Sequence, residues 1–270
     1  MRAIAVCPTV GRADLVRTLV LSWRRAWGKM EPPRLIVLAM PPAEGVVEWC
    51  RDHDVDVIAI DKVLPFAAAV NYGASQALAL EPKADWLFLV NNDIEMHAAS
   101  EQTKDGPIVA NAATAMREAI AWGWDMIGAR LLYPDGRIQH TGKWFSLDFY
   151  PFHCLRGEPA EHKMAAEPHV YPGVTFALVG IKAGLWSNLG GLDEQFHNGY
   201  EDDDLCLRAR AVGATIGVHP AFSAIHLESQ TTGNDAANKA AMWQLFKAKW
   251  IDSGLVQTAL GVWQGWRFSG

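Results

Sequence analysis

The sequence lacks the features that mark disulfide-rich, zinc-binding or membrane-spanning proteins. Its four cysteines are far apart and form no Cys-x-x-Cys pair, so neither a disulfide framework nor a zinc site is indicated. No run approaches the roughly 18 consecutive apolar residues of a membrane span. The first apolar run ends at Pro8, which is too early for a signal peptide. These absences predict a protein without a transmembrane segment, in a reducing, cytoplasmic compartment.

Three common catalytic motifs are also missing. There is no GxGxxG after the first apolar run and no GxxxxGK[ST] anywhere, which disfavours a Rossmann dehydrogenase and a P-loop NTPase. The GxSxG turn of α/β-hydrolases is absent as well. The formal net charge of −6 argues against a broad, nonspecific nucleic-acid-binding surface. The 270 residues suffice for one large α/β domain or two small ones.

Alternating strand and helix patterns fill the first hundred residues. Residues 13–27 place Leu15, Leu19 and Trp23 on one helical face, and short apolar runs precede and follow such helical segments. Strands separated by helices imply βαβ units and a mostly parallel sheet. Ligands of such a sheet bind beyond the carboxyl ends of its strands. We therefore predict an α/β fold with its functional residues at those ends.

The stretch NNDIEM, residues 91–96, directly follows a predicted strand. In an extended backbone, Asp93 and Glu95 would project to the same face. Hard oxygen ligands at that spacing suit Mg²⁺ or Mn²⁺. The alternative is a polar turn that closes the strand, because Asn and Asp are common turn residues. This motif alone leaves both interpretations open.

Four adjacent carboxylates, Glu201 to Asp204, stand at the predicted start of a helix in GYEDDDLCLRAR. The helix dipole stabilises negative charge there, and Asp204 can pair with Arg208 at i,i+4. We interpret Asp203 and Asp204 as capping, solvated charge. Glu201 and Asp202 lie at the junction of loop and helix, where neighbouring carboxylates should raise a pKa and give a better general base near neutral pH. A structural role and a catalytic role are both open on these grounds.

His226 stands at the end of another predicted strand, in FSAIHLES. A neutral imidazole is a good ligand for Mn²⁺ and heavier divalent ions. A lone histidine is more often an ordinary surface residue, and that interpretation stands beside the first. The spacing of this single residue does not decide between them.

Taken in order, five segments resemble those of family 2 glycosyltransferases, which have the GT-A fold. The last and longest segment matches a GG-hydrophobe-DE stretch, an ED-x-D helix and a strand ending in His. The resemblance covers roughly residues 3–232. The five segments are CPTVGR, VNYGASQAL, DWLFLVNNDIEM with its DxD-type metal motif, the hairpin IGARLLYPDGRIQHTG, and LVGIKAGLWSNLGGLDEQFHNGYEDDDLCLRARAVGATIGVHPAFSAIH.

The resemblance implies an inverting, metal-dependent glycosyltransferase that moves a sugar from a nucleotide-diphosphate sugar to an acceptor hydroxyl. Asp202 would be the general base, and Glu201 would support it. Asp93 and His226 would hold Mn²⁺ or Mg²⁺, which neutralises charge on a leaving diphosphate. The implied donor-binding residues are Pro8, Thr9, Arg12, Asp61, Asn71, Gly73, Asn91 and Asn92, and those on the acceptor side are Asp193, Glu194 and Trp144.

The implied architecture is a Rossmann-like α/β fold of the GT-A type, with a mostly parallel central sheet flanked by helices and a C-terminal helical tail. Residues 1–233 would form a single glycosyltransferase domain. Its nucleotide-sugar-binding half would be residues 1–96 and its acceptor half residues 97–233. Residues 234–270 would form the helical extension.

Two departures from the family pattern affect the donor and the metal. The second strand of the family usually ends in an Asp-Asn-x-Ser type stretch that helps to recognise the base, whereas here it ends in LAMPPAEG, with no acidic residue before Glu44. A UDP-sugar is therefore favoured only by default. The metal motif begins Asn-Asn, which leaves Asp93 as its main carboxylate.

The acceptor is open among a glycan, a lipid-linked sugar, a protein, a small molecule and a modified nucleic acid. Loops beside a rigid sheet usually carry such specificity, so we expect acceptor selection at residues 145–170, near Trp144, Phe149 and Tyr150. The tryptophan-rich tail would pack against the domain, form a homodimer contact or lie on a membrane surface. Its modest basic content favours packing.

Two other functional classes compete with the transferase. One is a nucleotide-sugar- or carbohydrate-binding protein of the same fold without turnover, against which the presence of Asp202, Asp93 and His226 argues. The other is a nucleotidyltransferase, which would need a basic, glycine-rich loop after the first strand. The stretch PTVGRADLVR is too poor in glycine and lysine for that.

Overall fold

A computed structural model describes residues 1–98, 111–228 and 236–261 of the chain. In these ranges ten strands form one mixed sheet, and two more pair as a separate hairpin. The strands are β1 (Ala3–Val10), β2 (Arg34–Met40), β3 (Asp56–Ala59), β4 (Trp86–Val90), β5 (Ile94–Met96), β6 (Met126–Leu132), β7 (Ile138–His140), β8 (Lys143–Phe145), β9 (Pro151–His153), β10 (His169–Val170), β11 (Leu178–Lys182) and β12 (Ile216–His226).

The order and directions of the strands bring the carboxyl ends of six of them to the same edge of the sheet. The order is β10–β12–β6–β11–β4–β1–β2–β3, with β5 paired to β12 and β7 paired to β6. Strands β3, β2, β1 and β4 run parallel, and β12 runs parallel to β6. Strand β11 runs antiparallel to both β4 and β6, and these two reversals give β6 and β12 the direction of β4. The prediction of a mostly parallel α/β sheet is confirmed.

Helices flank the sheet, and the first of them follows the sequence pattern closely. Leu15, Leu19 and Trp23 are all buried, as the helical stripe predicts. No helix within the described ranges has the length and apolarity needed to cross a membrane. The helices are α1 (Ala13–Ala26), α2 (Glu44–Asp52), α3 (Phe66–Leu80), α4 (Ala112–Ala121), α5 (Ala183–Leu189), α6 (Glu201–Ala211), α7 (Ala236–Phe246) and α8 (Leu255–Gly261), with a 3₁₀ turn at Lys163–Ala165 and a π-helical turn at Lys247–Asp252.

Both faces of the sheet are buried, and β1 shows this alternation directly. Ile4 and Val6 belong to one apolar cluster, whereas Ala5 and Cys7 belong to the cluster on the other face. Successive side chains of a strand point to opposite faces, and a strand covered on both sides is apolar throughout. The chain therefore has a three-layered core with β1 at its centre.

Tryptophan fills much of one of these layers. Trp23, Trp27 and Phe88 are buried, and their ring centroids lie 5.5 to 5.8 Å apart in edge-on contacts. Aromatic pairs prefer this geometry. These two tryptophans are therefore packing residues of the core.

The described part of the tail packs against the domain through its own apolar cluster. Phe246 and Trp250 join Phe145, Phe196 and Leu207 in that cluster. The prediction that the tail packs against the domain is confirmed for these residues. Two further tryptophans of the tail, Trp263 and Trp266, lie outside the described residues.

Helix α6 begins abruptly after three residues with positive φ. The φ angles are 60° at Asn198, 150° at Gly199 and 67° at Tyr200. Left-handed backbone costs free energy at residues other than glycine, and such strain concentrates at functional sites. The chain therefore enters α6 at Glu201 directly from this turn of positive φ angles.

Candidate active site

Asp93 and His226 meet at the edge of the sheet. Asp93 follows β4 and is 5% exposed, and His226 closes β12. Nε2 of His226 lies 3.2 Å from Oδ1 of Asp93. The two residues that the resemblance named as metal ligands are therefore adjacent, and their binding of a metal stays a prediction.

Gln139 fixes the orientation and the tautomer of His226. Its Oε1 lies 2.7 Å from Nδ1 of His226, and its Nε2 donates to the His226 carbonyl at 3.3 Å. Because a side-chain amide oxygen can only accept, Nδ1 must carry the proton of the neutral ring. Nε2 then presents its lone pair to Asp93. Gln139, which lies on β7, was missed in the sequence.

This pair fits a divalent cation. Oδ1 of Asp93 is buried and has no hydrogen-bond donor in the described residues, and it faces the lone pair of His226 across 3.2 Å. Two acceptor atoms at that separation repel unless a proton or a cation lies between them. No group of three or more His, Cys, Asp or Glu side chains suited to a metal occurs in the described ranges. Two protein ligands match Mg²⁺ or Mn²⁺ sites that substrate phosphates complete.

Glu95 does not share this site, contrary to the alternation predicted for residues 91–96. Asp93 lies in a turn and is buried, whereas Glu95 lies in β5 and is exposed. The backbone is not extended at Asp93, so the two-residue period does not apply there. The turn and the candidate metal ligand, which the sequence presented as alternatives, coexist.

The start of α6 holds a buried cluster of charge. Nζ of Lys143 lies 2.7 Å from Oδ2 of Asp202 and 3.0 Å from the Asp203 carboxylate. The side chain of Lys143 is 7% exposed and that of Asp202 is 13% exposed. Glu201 accepts a hydrogen bond from the Gly199 amide. One ammonium group therefore compensates the adjacent carboxylates of the first helical turn.

The three carboxylates differ in acidity. Burial, and then the charge of Asp202, raise the pKa of Glu201 to about 7. Burial also raises the pKa of Asp203 to about 7, against the opposing charge of Lys143. Burial pushes the Asp202 pKa upward too, but the charge and hydrogen bond of Lys143 hold this pKa below its ordinary value. The expectation that neighbouring carboxylates raise the pKa of the candidate base is therefore wrong for Asp202.

Asp204 is not a solvated charge, because it is buried and its carboxylate contacts three other side chains. It is fully buried, and its carboxylate pairs with Arg208 at 2.8 Å and with Lys249 at 2.7 Å. Nε1 of Trp250 donates to the same carboxylate at 2.9 Å. The predicted pair of Asp204 and Arg208 is confirmed. The interpretation of Asp203 and Asp204 as solvated charge is wrong, because both side chains are buried. Lys143 of β8 pairs with Asp203, and Lys249 of the π-helical turn pairs with Asp204.

Two histidines of the β7–β9 region form a buried pair behind Asp202. Nε2 of His140 accepts from the amides of Gly142 and Thr175 at 3.2 and 3.3 Å. Nδ1 of His140 therefore carries the proton and donates to Nδ1 of His153 at 3.1 Å. Burial and then the charge of Lys143 lower the His153 pKa to about 3, so that both rings are neutral near pH 7.

His153 also connects the two halves of the site. The charges of Asp202 and of His226 both act on its pKa. His153 therefore lies near both the candidate base and the candidate metal ligand, and it was missed in the sequence.

The donor-side residues near β1 form a buried brace. Nδ2 of Asn92 donates to Oγ1 of Thr9 at 2.8 Å, and Thr9 donates to the Gly11 carbonyl at 2.7 Å. This links the end of β1 to the turn that carries Asp93. Asn91 donates its amide to Ala177 on the neighbouring chain segment. The brace explains how the end of β4 is held.

Asn71 lies on α3 and fastens the acceptor-side loop. Its amide nitrogen donates to the Leu192 carbonyl and to Glu194, each at 2.9 Å, and its oxygen accepts from the Leu192 amide at 2.8 Å. Asp193 in the same loop pairs with Lys249 of the tail at 2.6 Å. The structure therefore places Asn71 with Asp193 and Glu194, although the resemblance assigned it to the donor side.

The other candidate residues are spread around the same edge. Gly73 permits close packing of α3, because a Cβ there would lie 2.7 Å from Cγ1 of Val6. Arg12 pairs with Asp14 at 2.9 Å. The remaining three are Pro8 near the end of β1, Asp61 exposed after β3, and Trp144 on β8 beside Lys143.

An aromatic group stands beside the start of α6. The ring centroid of Trp243 lies 5.1 Å from that of Tyr150 and 5.7 Å from that of Tyr200. Tyr150 is 50% exposed, and Tyr200 is the residue directly before Glu201. We call Tyr150, Tyr200 and Trp243 the aromatic wall.

Solved structures share this arrangement of sheet and helices. A structure of GalNAc-T7 with UDP, GalNAc and Mn²⁺ is 13% identical with a TM-score of 0.67, covering 93% of this chain and 48% of that one. A mannosyltransferase, PcManGT from Pyrobaculum calidifontis in complex with GDP-Man and Mn²⁺, is 12% identical with a TM-score of 0.52, covering 96% of this chain and 73% of that one. The chain has the GT-A fold of these glycosyltransferases. The predicted fold class is confirmed.

Two curated proteins resemble the GT-A chain in sequence, and no family model matches it. It is 30% identical over 240 residues to an uncharacterized protein, y4gI, of Sinorhizobium fredii (strain NBRC 101917 / NGR234), covering 85% of this chain and 25% of that protein. It is 26% identical over 254 residues to the O-antigen biosynthesis protein RfbC of Myxococcus xanthus, covering 90% of this chain and 18% of that protein. The GT-A chain thus spans about a quarter or less of these relatives.

Proposed function

We propose that the chain is an inverting, metal-dependent family 2 glycosyltransferase that moves a sugar from a nucleotide-diphosphate sugar to an acceptor hydroxyl. The observation that supports this most is the pair of Asp93 and His226 at the carboxyl edge of a GT-A sheet. Ligands of such sheets bind at that edge. The name of RfbC, the UDP and GalNAc in one solved structure and the GDP-Man in the other agree with a role in sugar transfer.

The reaction is a single displacement at the anomeric carbon. Asp202 accepts the proton of the acceptor hydroxyl, whose oxygen forms a bond to the anomeric carbon. The bond from that carbon to the diphosphate breaks, its electron pair leaves with the nucleoside diphosphate, and the configuration inverts. Asp202 is suited to this role because it is ionised near neutral pH and still partly exposed. Glu201 supports the base through the turn at Gly199.

Asp93 and His226 would hold Mn²⁺ or Mg²⁺. When bound, such an ion neutralises charge that develops on the departing diphosphate. Gln139 keeps Nε2 of His226 free for that purpose, and the hydrogen bond between Asn92 and Thr9 keeps the Asp93 turn against β1. These are the contributions of the chain itself to the donor site.

The aromatic wall is proposed as the acceptor side of the site. Tyr200 precedes the candidate base, and Tyr150 lies in the segment where we expect acceptor selection. Aromatic faces next to a polar site suit a ligand with one apolar surface, such as a sugar ring. Asp193 and Glu194, held by Lys249 and Asn71, would border the same side.

The first experiment is a thermal-shift panel of UDP, GDP, dTDP and CDP, with and without Mn²⁺. A ligand at about 100 times its dissociation constant adds about 2.7 kcal/mol to native stability, which is several degrees for a chain of this size. We expect a Mn²⁺-dependent shift with one nucleotide class, UDP tested first, that is lost in Asp93→Ala and kept in Asp202→Ala.

Turnover is then measured as release of the nucleoside diphosphate from the matching nucleotide sugar. We expect wild-type protein to consume the donor, with water as the acceptor when no other is present, and Asp202→Asn to lose at least 100-fold in rate while its Mn²⁺-dependent thermal shift is unchanged. Binding without any turnover in the wild type would instead favour a nucleotide-sugar-binding protein of the same fold.

A further inference from the structure

Lys143 occupies an unusual position for a lysine. It lies on the short strand β8, and its side chain is 7% exposed. Lysine is almost never buried unless it is paired. Its pairing is with Asp202 and Asp203 of α6, so the hairpin β8–β9 and the start of α6 are tied together by this one ammonium group.

The backbone of Lys143 is also fixed. Its amide donates to the Gly173 carbonyl at 2.7 Å, and across the hairpin its Cα pairs with that of His153. The side chain of Lys143 therefore extends from a backbone that is held in place. A charge held in this way fixes the geometry of its partner, because neither end of the ion pair can move freely.

Asp202 is immobilised at both oxygens. Its Oδ2 accepts from Lys143 at 2.7 Å, and its Oδ1 accepts from the Asp203 amide at 2.8 Å. Each carboxylate oxygen has two lone pairs, so one acceptor direction remains at each atom. The side chain keeps 13% exposure. The remaining lone pairs can therefore receive a proton from a bound hydroxyl.

We propose that Lys143 is a positioning residue for the candidate base, which aims the Asp202 carboxylate and keeps it ionised. The inference rests on the proposed function, because it assigns a partner to the base of that reaction. Lys143 does not touch the substrate in this scheme. It acts only through Asp202.

The other groups around Asp202 act in both directions: its two acid neighbours work against ionisation, and His153 favours it less than Lys143 does. Glu201 and Asp203 are its neighbours on α6, and both are buried carboxylates. On the hairpin side stands His153, which is backed by the neutral, buried His140. Without the Lys143 ammonium, Asp202 would lie among acids and neutral rings in a buried cluster, where burial disfavours the charged form. Its protonated form would then dominate at higher pH than in the wild type.

The experiment compares the pH profiles of kcat/KM for donor hydrolysis in wild type and Lys143→Met. Methionine has a similar length without the charge. We expect the acid limb of the profile to move up to a midpoint of about 7, so that activity at pH 6 falls about tenfold while the plateau at high pH is largely kept. Lys143→Arg, which retains the charge, should restore most of the activity at pH 6.

The matched control is Lys182→Met. Lys182 pairs with Asp125 at 2.8 Å on β11, so this variant removes one lysine–aspartate pair outside the site. Its acid limb should match that of the wild type. A rate loss of the same factor at every pH in Lys143→Met, or no loss at all, would overturn the inference.

A second measurement does not depend on a folded Lys143 variant. In wild-type protein with ¹³C-labelled aspartate, the carboxyl signal of Asp202 is assigned by its absence in Asp202→Asn. We expect it to titrate below the range of ordinary aspartates, and titration at or above that range would overturn the inference. Full donor consumption by Asp202→Asn would instead overturn the base of the proposed function, whatever Lys143 does.

Discussion

Nε1 of Trp250 donates a hydrogen bond of 2.9 Å to Oδ1 of Asp204. This contact joins the π-helical turn of the tail to the buried acidic start of α6. Lys249, the preceding residue, pairs with the same oxygen and with Asp193 of the acceptor-side loop. The tail therefore supports both the helix of the candidate base and the loop next to it.

Trp250→Phe should destabilise the protein without abolishing its fold. Phenylalanine keeps most of the apolar contacts but leaves the buried Asp204 carboxylate with one donor fewer. Hydrogen bonds to charged groups contribute about 1.5–3 kcal/mol, which predicts a fall in Tm of several degrees. Calorimetry measures it. Trp122→Phe, at an exposed tryptophan, is the control and should change Tm little, and equal effects of the two variants would contradict the role of the contact.

Deletion of residues 255–270 should reduce stability more than donor hydrolysis. Val256 and Ala259 of α8 are buried in the apolar cluster around Phe246, so their removal exposes that cluster, whereas Asp202 and Asp93 keep their partners. Tm and the rate of donor hydrolysis at low temperature are measured together. Deletion of 262–270 alone separates the last segment from α8. A loss of hydrolysis at unchanged Tm would contradict the prediction.

Gln139→Leu should weaken metal binding. Leucine cannot accept from Nδ1 of His226, so the imidazole loses the contact that leaves Nε2 free. Loss of such a supporting partner typically costs 10- to 100-fold in metal affinity. Titration with Mn²⁺, followed by its electron paramagnetic resonance signal, gives the affinity. The surface variant Gln257→Leu should bind as the wild type does, and an unchanged affinity in Gln139→Leu would remove Gln139 from the site.

Glu201 should make the stability of the protein fall as pH rises. Its pKa in the folded chain is about 7, raised from 4.5, so between these values the folded state binds more protons than the unfolded state. The free energy of unfolding therefore decreases with rising pH across this window, by the linkage of proton binding to folding. Glu201→Gln removes that contribution, so the decrease should be shallower.

Urea unfolding midpoints at pH 5, 6, 7 and 8 test this. Asp203, whose pKa is also about 7, keeps part of the decrease in the variant. An exposed carboxylate, changed in Glu48→Gln, is the control and should leave the slope as in the wild type. Parallel curves for wild type and Glu201→Gln would show that Glu201 is not a buried, protonatable acid.

Local apolar patterns predicted the α/β sheet and its strand ends, whereas the pairing of Asp93 with His226 was implied by the resemblance to family 2 glycosyltransferases. The sequence did not predict the partners of the acidic cluster. Lys143 and Lys249 are distant from α6 in sequence, and no local pattern reports such contacts.

The burial of Asp204 was also hidden in the sequence. Leu205, Cys206, Leu207 and Ala209 of α6 are all buried, so the helix has no exposed stripe that would separate inward from outward positions. From the sequence alone, a carboxylate in such a helix is predicted to be exposed to solvent. Only the positions of the tail and the hairpin show that it is not.

The placement of Asp93 in the turn after β4 and of His226 at the end of β12 has a consequence for assembly. One residue comes from the first half of the sequence and the other from the last strand of the sheet, joined through β5 and β12. A fragment of residues 1–98 would carry the brace between Thr9 and Asn92 but only half of the metal pair. Binding of Mn²⁺ should therefore appear only after the complete sheet has closed, and its appearance during refolding, or on mixing two complementary fragments, would report that last step of folding.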